Sequence, residues 1–308
     1  MITVLAGGVG GGRLLQGLVQ VVSQREVTVI SNTGDDLEMF GLHVSPDIDI
    51  VTYHLAGLSP DEQGWGLAGD TFATLEALER FGHPSWFHLG DHDLATNLHR
   101  TFLLKQGRTL SQATAEIARA FGLEVTVLPM TDDRVRTRVV TDEGELDFQD
   151  YMVRRQADSH VKGVRYEGVL EAKPAPGVIE AITEAEGVIL APSNPIASIG
   201  PILAVPGVRG ALVQTKARVA AVSPIVGGAV IKGPADRMLS GMGMEVSAWQ
   251  VGWLYEDFLD CLVIDLADAG DERRIRGLGL EVVVTDTIMR DAERKAALAR
   301  TVVEAIRS

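Results

Sequence analysis

Apolar runs recur along the chain at 2–6, 26–31, 124–128, 187–191, 218–223, 261–265 and 280–285, and each reads as a strand. Helical spacing of apolar positions falls between several of them, at 71–81, 109–121, 177–186, 234–241 and 290–306. Strands alternating with helices predict an α/β fold, a mainly parallel sheet with helices on both faces. Ligands of such sheets sit in the crevice beyond the carboxyl ends of the strands. The chemistry is therefore to be sought in the segments that follow each strand.

One region breaks the alternation. Within residues 132–173, Arg134 to Thr141 alternates in polarity, Glu143-Gly144 marks a turn, and Glu145 to Gln149 returns as a hairpin. No internal repeat or low-complexity linker interrupts the chain. Residues 1–308 thus read as a single Rossmann-like α/β domain, with 132–173 as an inserted cap.

Four segments that follow strands carry glycine, proline or polar residues: Gly7–Gly12, Asn32–Asp36, Pro192–Pro195 and Pro224–Gly228. The first holds five glycines among six residues, Gly7, Gly8, Gly10, Gly11 and Gly12, between a strand and a helix start. Glycine lets a backbone approach a ligand closely. A helix start offers free N–H groups and a positive dipole end to an anion. A nucleotide or other phosphoester is the ligand class this predicts. The segment matches neither of the better-known phosphate motifs. A P-loop closes on Gly-Lys-Ser/Thr, whereas Gly12 precedes Arg13 and Leu14; a dinucleotide fingerprint opened at Gly8 meets Arg13 at its third glycine. A glycine turn that binds nothing is the competing reading.

Charge narrows the partners. The chain has 42 Asp and Glu against 28 Lys and Arg, a net charge of −14. Nucleic-acid and anionic-membrane binding are disfavoured, because both need basic surface. Phosphate handling in such a protein needs a divalent cation, a few Arg or Lys, or backbone amides. The 308 residues, 46% of them apolar, supply a full core. Cys261 is the one cysteine, which excludes an intrachain disulfide and a cysteine-based zinc site. The apolar stretch at 187–205 is broken by Pro192, Pro195 and Pro201, so it does not read as a membrane span. With no signal segment at its start, the chain is expected to be cytoplasmic.

Carboxylates cluster early: Asp35, Asp36, Asp47, Asp49, Asp70, Asp91 and Asp93. Hard oxygen ligands of this kind suit Mg²⁺. Asp35 follows the second strand, where it would face phosphates on the glycine segment. In an extended segment, Asp47 and Asp49 would point the same way. For any single acid, a helix cap or a solvated turn is the plain alternative. His83, His88, His92 and His99 crowd one stretch without the regular spacing of a zinc site. His92, between Asp91 and Asp93, is the ligand-contacting candidate among them. Ser193 and Asn194, stiffened by flanking prolines, are candidates to hold a phosphate or a base edge. No G-x-S-x-G elbow is present to make a nucleophilic serine. Trp65 in GWG is the candidate to line a pocket for a flat ring.

Nine segments occur in an order that resembles one family: GGVGGGRLLQGL, NTGDD, HVSPDID, GWGLAGDTF, LGDHDLATN, LPMTDD, FQDYMV, APSNPIASIGPIL and VSPIVGG. The sequence is similar to the 2-phospho-L-lactate transferases of deazaflavin coenzyme F-420 biosynthesis, from residue 1 to about 230 and more weakly beyond. The resemblance implies a reaction. A guanosine diphosphate adduct of lactate, or of enolpyruvate in many bacteria, gives up its phospho-acid group to the terminal ribityl hydroxyl of the deazaflavin Fo. GMP leaves, Mg²⁺ is required, and the product is F-420-0 or its dehydro form. A homodimer is the implied assembly.

Carried onto this sequence, the resemblance gives Gly7, Gly8, Gly10, Gly11, Gly12, Asn32, Ser193 and Asn194 to the nucleotide and its diphosphate. It gives Asp35 and Asp49 to the metal. Asp49 would also orient Fo and take the proton of its hydroxyl. Relatives usually read GDRD where this chain has Asp91-His92-Asp93, and that arginine position is linked to Fo. Histidine is shorter and less charged at neutral pH, so contacts to the acceptor are expected to differ here. Which acid is transferred, lactate, enolpyruvate or glycerate, stays open. The rival from another class is a nucleotide-sugar-binding regulator of the gluconeogenesis-factor type. Such proteins continue their second-strand loop with an Asp-Asp-Gly-Gly-Ser-Ser-type run, whereas Asp36 here precedes Leu37-Glu38-Met39-Phe40. An ordinary NAD(P) oxidoreductase is weakened by the failed fingerprint.

Overall fold

The computed structural model describes residues 1–308. The seven expected strands form, and all seven lie in one sheet. They are Ile2–Ala6, Val27–Ser31, Thr126–Pro129, Gly187–Leu190, Arg218–Val222, Cys261–Asp265 and Glu281–Thr285. Every neighbouring pair is parallel. Across the sheet the order is 281–285, 261–265, 218–222, 187–190, 2–6, 27–31 and 126–129. The chain begins near the middle, builds outward to Thr126–Pro129, then returns to the other side of Ile2–Ala6 and builds outward again. The fold is Rossmann-like, and its direction reverses between Ile2–Ala6 and Gly187–Leu190.

Successive strand residues face opposite layers. Leu5, Ile30, Leu190 and Leu262 enter a cluster of 41 buried residues on one face, while Val4, Val29, Ile189 and Val263 enter a cluster of 27 on the other. The helix Gly8–Leu18 and the C-terminal helix Ala292–Arg307 cover the smaller cluster. They cross so closely that a Cβ on Gly17 would overlap the main chain of Lys295.

The larger cluster owes part of its size to the inserted region. The expected hairpin is present as Arg136–Thr141 and Gly144–Asp147, and a third strand, Val161–Glu167, pairs with the other edge of Arg136–Thr141. Val135, Val139, Tyr151 and Val161 join the main core, so the small sheet packs on the large one. It also reaches both sides of the crevice. The Thr137 N–H donates to the Gly34 carbonyl at 2.6 Å, and the Tyr166 hydroxyl donates to the Ile196 carbonyl at 2.5 Å.

The predicted helices appear as Ala73–Arg80, Leu110–Ala120, Val178–Thr183, Ala235–Gly241 and Ala292–Arg307. Three substantial helices went unpredicted: Pro46–Leu55, Asp91–Lys105 and Ala248–Tyr255. The first corrects the extended reading of Asp47 and Asp49. Pro46 suits a first helical turn, and acids there favour the positive end of the helix dipole. No helix is long and apolar enough to cross a membrane.

Candidate active site

A cavity of about 630 Å³ opens at the carboxyl ends of Ile2–Ala6 and Gly187–Leu190, where the strand order reverses. The glycine segment forms one wall, and it differs from the expected loop. Gly7 is extended, with φ −159°, and the helix already starts at Gly8, which has φ +64°. Gly7, Gly8 and Gly10 line the cavity, whereas Gly11 and Gly12 do not. The inward pair serves packing: a Cβ on Gly12 would overlap the His54 ring, and one on Gly11 would crowd Ala6 and Ser193. Ser193 and Asn194 also line the cavity. The Ser193 hydroxyl donates to the Gly7 carbonyl at 2.7 Å and accepts from the Gly7 N–H at 3.2 Å, which pins the two central loops together. Asn194 Oδ1 accepts from the Ile196 and Ala197 N–H groups, so it shapes its own turn.

Asn32 is fully buried and absent from the cavity wall. Its amide organises the acids that do line it. Nδ2 donates to Asp35, to Asp47 Oδ2 at 2.9 Å and to the Ala197 carbonyl at 3.2 Å, while Oδ1 accepts from the Gly34 N–H at 2.7 Å. The Gly8 N–H, at the start of the glycine helix, and the Ser198 hydroxyl also act on Asp47 and pull its carboxyl down. Burial, then the charge of Asp47, pushes the Asp35 carboxyl well above the usual range. Burial likewise raises Asp47, to about 6. Every donor that reaches these two acids is neutral. Two adjacent buried carboxylates of this kind lack a counter-charge, and a hard divalent cation fits the deficit.

Asp49 lies two residues further along the same helix, yet its partner is different. Arg100, on the helix Asp91–Lys105 and with no exposed side-chain surface, grips both Asp49 oxygens. The guanidinium also donates to Asn97 Oδ1 at 2.6 Å. Burial raises the Asp49 carboxyl while Arg100 pulls it down. The guanidinium stays protonated, so Asp49 faces a fixed positive charge, although burial still leaves its carboxyl above the ordinary value. Nearby, the Tyr53 hydroxyl donates to Asp93 Oδ1 at 2.7 Å, and burial followed by the Asp49 charge lifts Asp93 to about 7. Asp93 and Tyr53 both face the cavity.

The LGDHD segment divides its roles. Asp91 accepts from Thr71, Ala73 and Thr74 and so caps the helix Ala73–Arg80; hydrogen bonds from Thr71 and Thr74 hold its carboxyl well below the usual range. Asp70 returns the favour, accepting from the His92 and Asp93 N–H groups. His92 is outside the cavity wall, its side chain 74% exposed with Nδ1 3.2 Å from Asp70. Adjacent helical residues point about 100° apart, so turning Asp93 inward turns His92 outward. Trp65 does line the cavity, stacked on His88 with centroids 6.4 Å apart.

The sequence pattern of the family described as 2-phospho-L-lactate transferase CofD matches residues 2–305. The chain belongs to that family. A phosphoenolpyruvate transferase of Streptomyces griseus is 43% identical over 98% of this chain and 97% of its own length. A 2-phospho-L-lactate transferase of Methanocaldococcus jannaschii is 42% identical over 99% of this chain and 97% of its own. A solved structure of a UPF0052-family protein from Bacillus halodurans superposes with TM-score 0.65 over 98% of each chain; at 18% identity it speaks for the fold alone.

As a CofD-family member the chain is a transferase, and its relatives carry two names for the acid they transfer. Its cavity wall also carries Tyr53, Arg13 and Lys232, to which sequence reasoning gave no site role, and Asp47 and Asp93, which it had read only as members of the early carboxylate cluster. Arg100, behind Asp49, was missed as well. Asp47 and Asp93 had a signal, since each lies two residues from or next to a chosen candidate. Arg100 and Tyr53 had none, because only helix phase turns them inward.

Proposed function

We propose that the chain transfers a phospho-lactyl or phospho-enolpyruvyl group from its guanosine diphosphate adduct to the terminal ribityl hydroxyl of Fo. The observation that carries this reading is the uncompensated Asp35–Asp47 pair at the start of the glycine helix, in a cavity that also holds Trp65, His88 and Asp93. The ribityl oxygen forms a bond to the phosphorus that bears the acid. The bond from that phosphorus to the oxygen bridging it to GMP breaks, and GMP departs with the electron pair. The product is F-420-0 or its dehydro form.

Asp35 and Asp47 would hold Mg²⁺, with substrate oxygens and water completing the shell. The ion supplies neutralisation of the charge that develops on the diphosphate. Gly8 and Gly10 offer main-chain donors beside it. Asp49, its oxygens gripped by Arg100, orients the acceptor, and Asp93, lifted toward neutrality and steadied by Tyr53, takes the hydroxyl proton. This divides between two acids what the resemblance gives to Asp49 alone. A homodimer and a cytoplasmic location belong to the same proposal.

The test is an assay of the purified chain with Mg²⁺, Fo and each guanosine-diphospho acid, read by mass. Mass gain on Fo with GMP release is the expected result and names the acid. No transfer from any donor, with tight binding of a nucleotide sugar, would favour the regulator instead.

A further inference from the structure

The cavity wall is rich in acids and has two Lys or Arg side chains, Arg13 and Lys232. They come from distant parts of the chain: the second turn of the glycine helix, and the segment after the hairpin of Ile225–Val226 and Ala229–Val230. Neither grips a carboxylate. Arg13 Nη2 donates to the Asp61 carbonyl at 2.6 Å, and Lys232 Nζ donates to the Glu62 and Gln63 carbonyls at 2.7 and 2.8 Å. Two cations thus sit on three consecutive carbonyls of one loop. Arg13 Nε is buried and has no partner. The cations also oppose each other, since burial and then the Arg13 charge push the Lys232 ammonium down. A net charge of −14 offers many carboxylates for such groups, yet these two face a cavity instead. Adjacent cations with an orphan N–H, beside the main-chain donors of Gly8 and Gly10, are a receptor for a multivalent anion.

We propose that Arg13 and Lys232 receive the diphosphate of the donor nucleotide, and that the carbonyls of residues 61–63 occupy them until it arrives. The anion's identity as a guanosine diphosphate rests on the proposed transfer; the cation pair itself does not. Arrival of phosphate oxygens exchanges carbonyl contacts for stronger charge-assisted ones. The loop is then released from both cations. Trp65, two residues beyond Gln63 and on the cavity wall, moves with it.

The test is equilibrium titration of the full chain with inorganic pyrophosphate, GDP, ADP and guanosine, read by calorimetry and by Trp65 emission against a Trp65→Phe reference. Arg13→Gln and Lys232→Met are each expected to weaken pyrophosphate and GDP about 10- to 100-fold, the effect of losing a charge-assisted hydrogen bond. Guanosine binding should stay unchanged in both. Pyrophosphate should change Trp65 emission in the wild type and less in either variant. Equal diphosphate affinity in variants and wild type overturns the proposal, as does a wild type that binds no diphosphate. If both variants lose pyrophosphate but GDP binds no better than ADP, the cation pair stands and the guanosine reading falls. Should Arg13→Gln fail to fold, Lys232→Met, whose side chain is exposed, decides the matter alone.

Discussion

Two buried acids on the helix Pro46–Leu55, Asp47 and Asp49, have opposite surroundings. Asp47 sits with Asp35 among neutral donors: an asparagine amide, a serine hydroxyl and a glycine N–H. Asp49 sits against a guanidinium that reaches both its oxygens. One side of the helix meets only neutral donors; the other is balanced by a guanidinium from within the protein. A charge balanced internally fixes structure and orients a partner.

The comparison breaks most severely if Asp35→Asn or Asp47→Asn keeps full turnover. Each should lower the transfer rate about 1,000-fold, in line with loss of a ligand to a catalytic cation. Thermal melting without metal should show unchanged or raised stability, because like-charge repulsion is relieved. On the other side, Arg100→Met strands Asp49 without a partner and should destabilise the fold by about 3–5 kcal/mol. Adding Asp49→Asn to that variant should recover part of the loss, which denaturant titration would register. Asp93→Asn should reduce kcat about 100-fold and remove the acid limb of its pH profile; an unaltered limb would return the base role to Asp49.

Stability against pH sharpens the contrast further. A raised folded-state value means that Asp47 contributes stability fully below its ordinary 3.8, and that this is lost as pH rises through about 6. His54 runs the other way: burial lowers it to about 4, so stability falls as pH drops below 6.5. The difference between wild type and Asp47→Asn isolates the first effect, which should be on the order of 1–3 kcal/mol between pH 4 and 7. Mg²⁺ should raise the midpoint of the wild type at pH 7 and leave Asp47→Asn nearly unmoved. The smallest effect belongs to His92→Ala, expected within about twofold on every constant because its side chain is exposed.

The sheet was legible because each of its strands is an apolar run long enough to be covered on both faces. The crevice followed from where those strands end, so Gly7, Gly8, Gly10, Asp35, Asp49, Ser193 and Asn194 were found on its wall. What escaped depends on helix phase. Read as an extended segment, SPDID pairs Asp47 with Asp49; wound into a helix, it parts them and gives each a different neighbour. The same rotation exchanges His92 for Asp93. Glycine density signalled a ligand loop, yet Gly11 and Gly12 are there for Ser193 and His54 to approach. Arg100 came from a segment with no local mark, and nothing in the order of residues pairs it with Asp49.

The crossing of Gly8–Leu18 with Ala292–Arg307 has a consequence for how the molecule comes into being. Gly17 nests under the main chain of Lys295, whose Nζ donates to Gln16 Oε1 at 2.8 Å. The helix Gly8–Leu18 is therefore completed by one far along the chain, Ala292–Arg307. During synthesis the opening glycines emerge well before the segment that covers them, and this long-range closure comes late. A ribosome-bound chain lacking its final helix would carry every residue of the cavity wall and still be without a finished one.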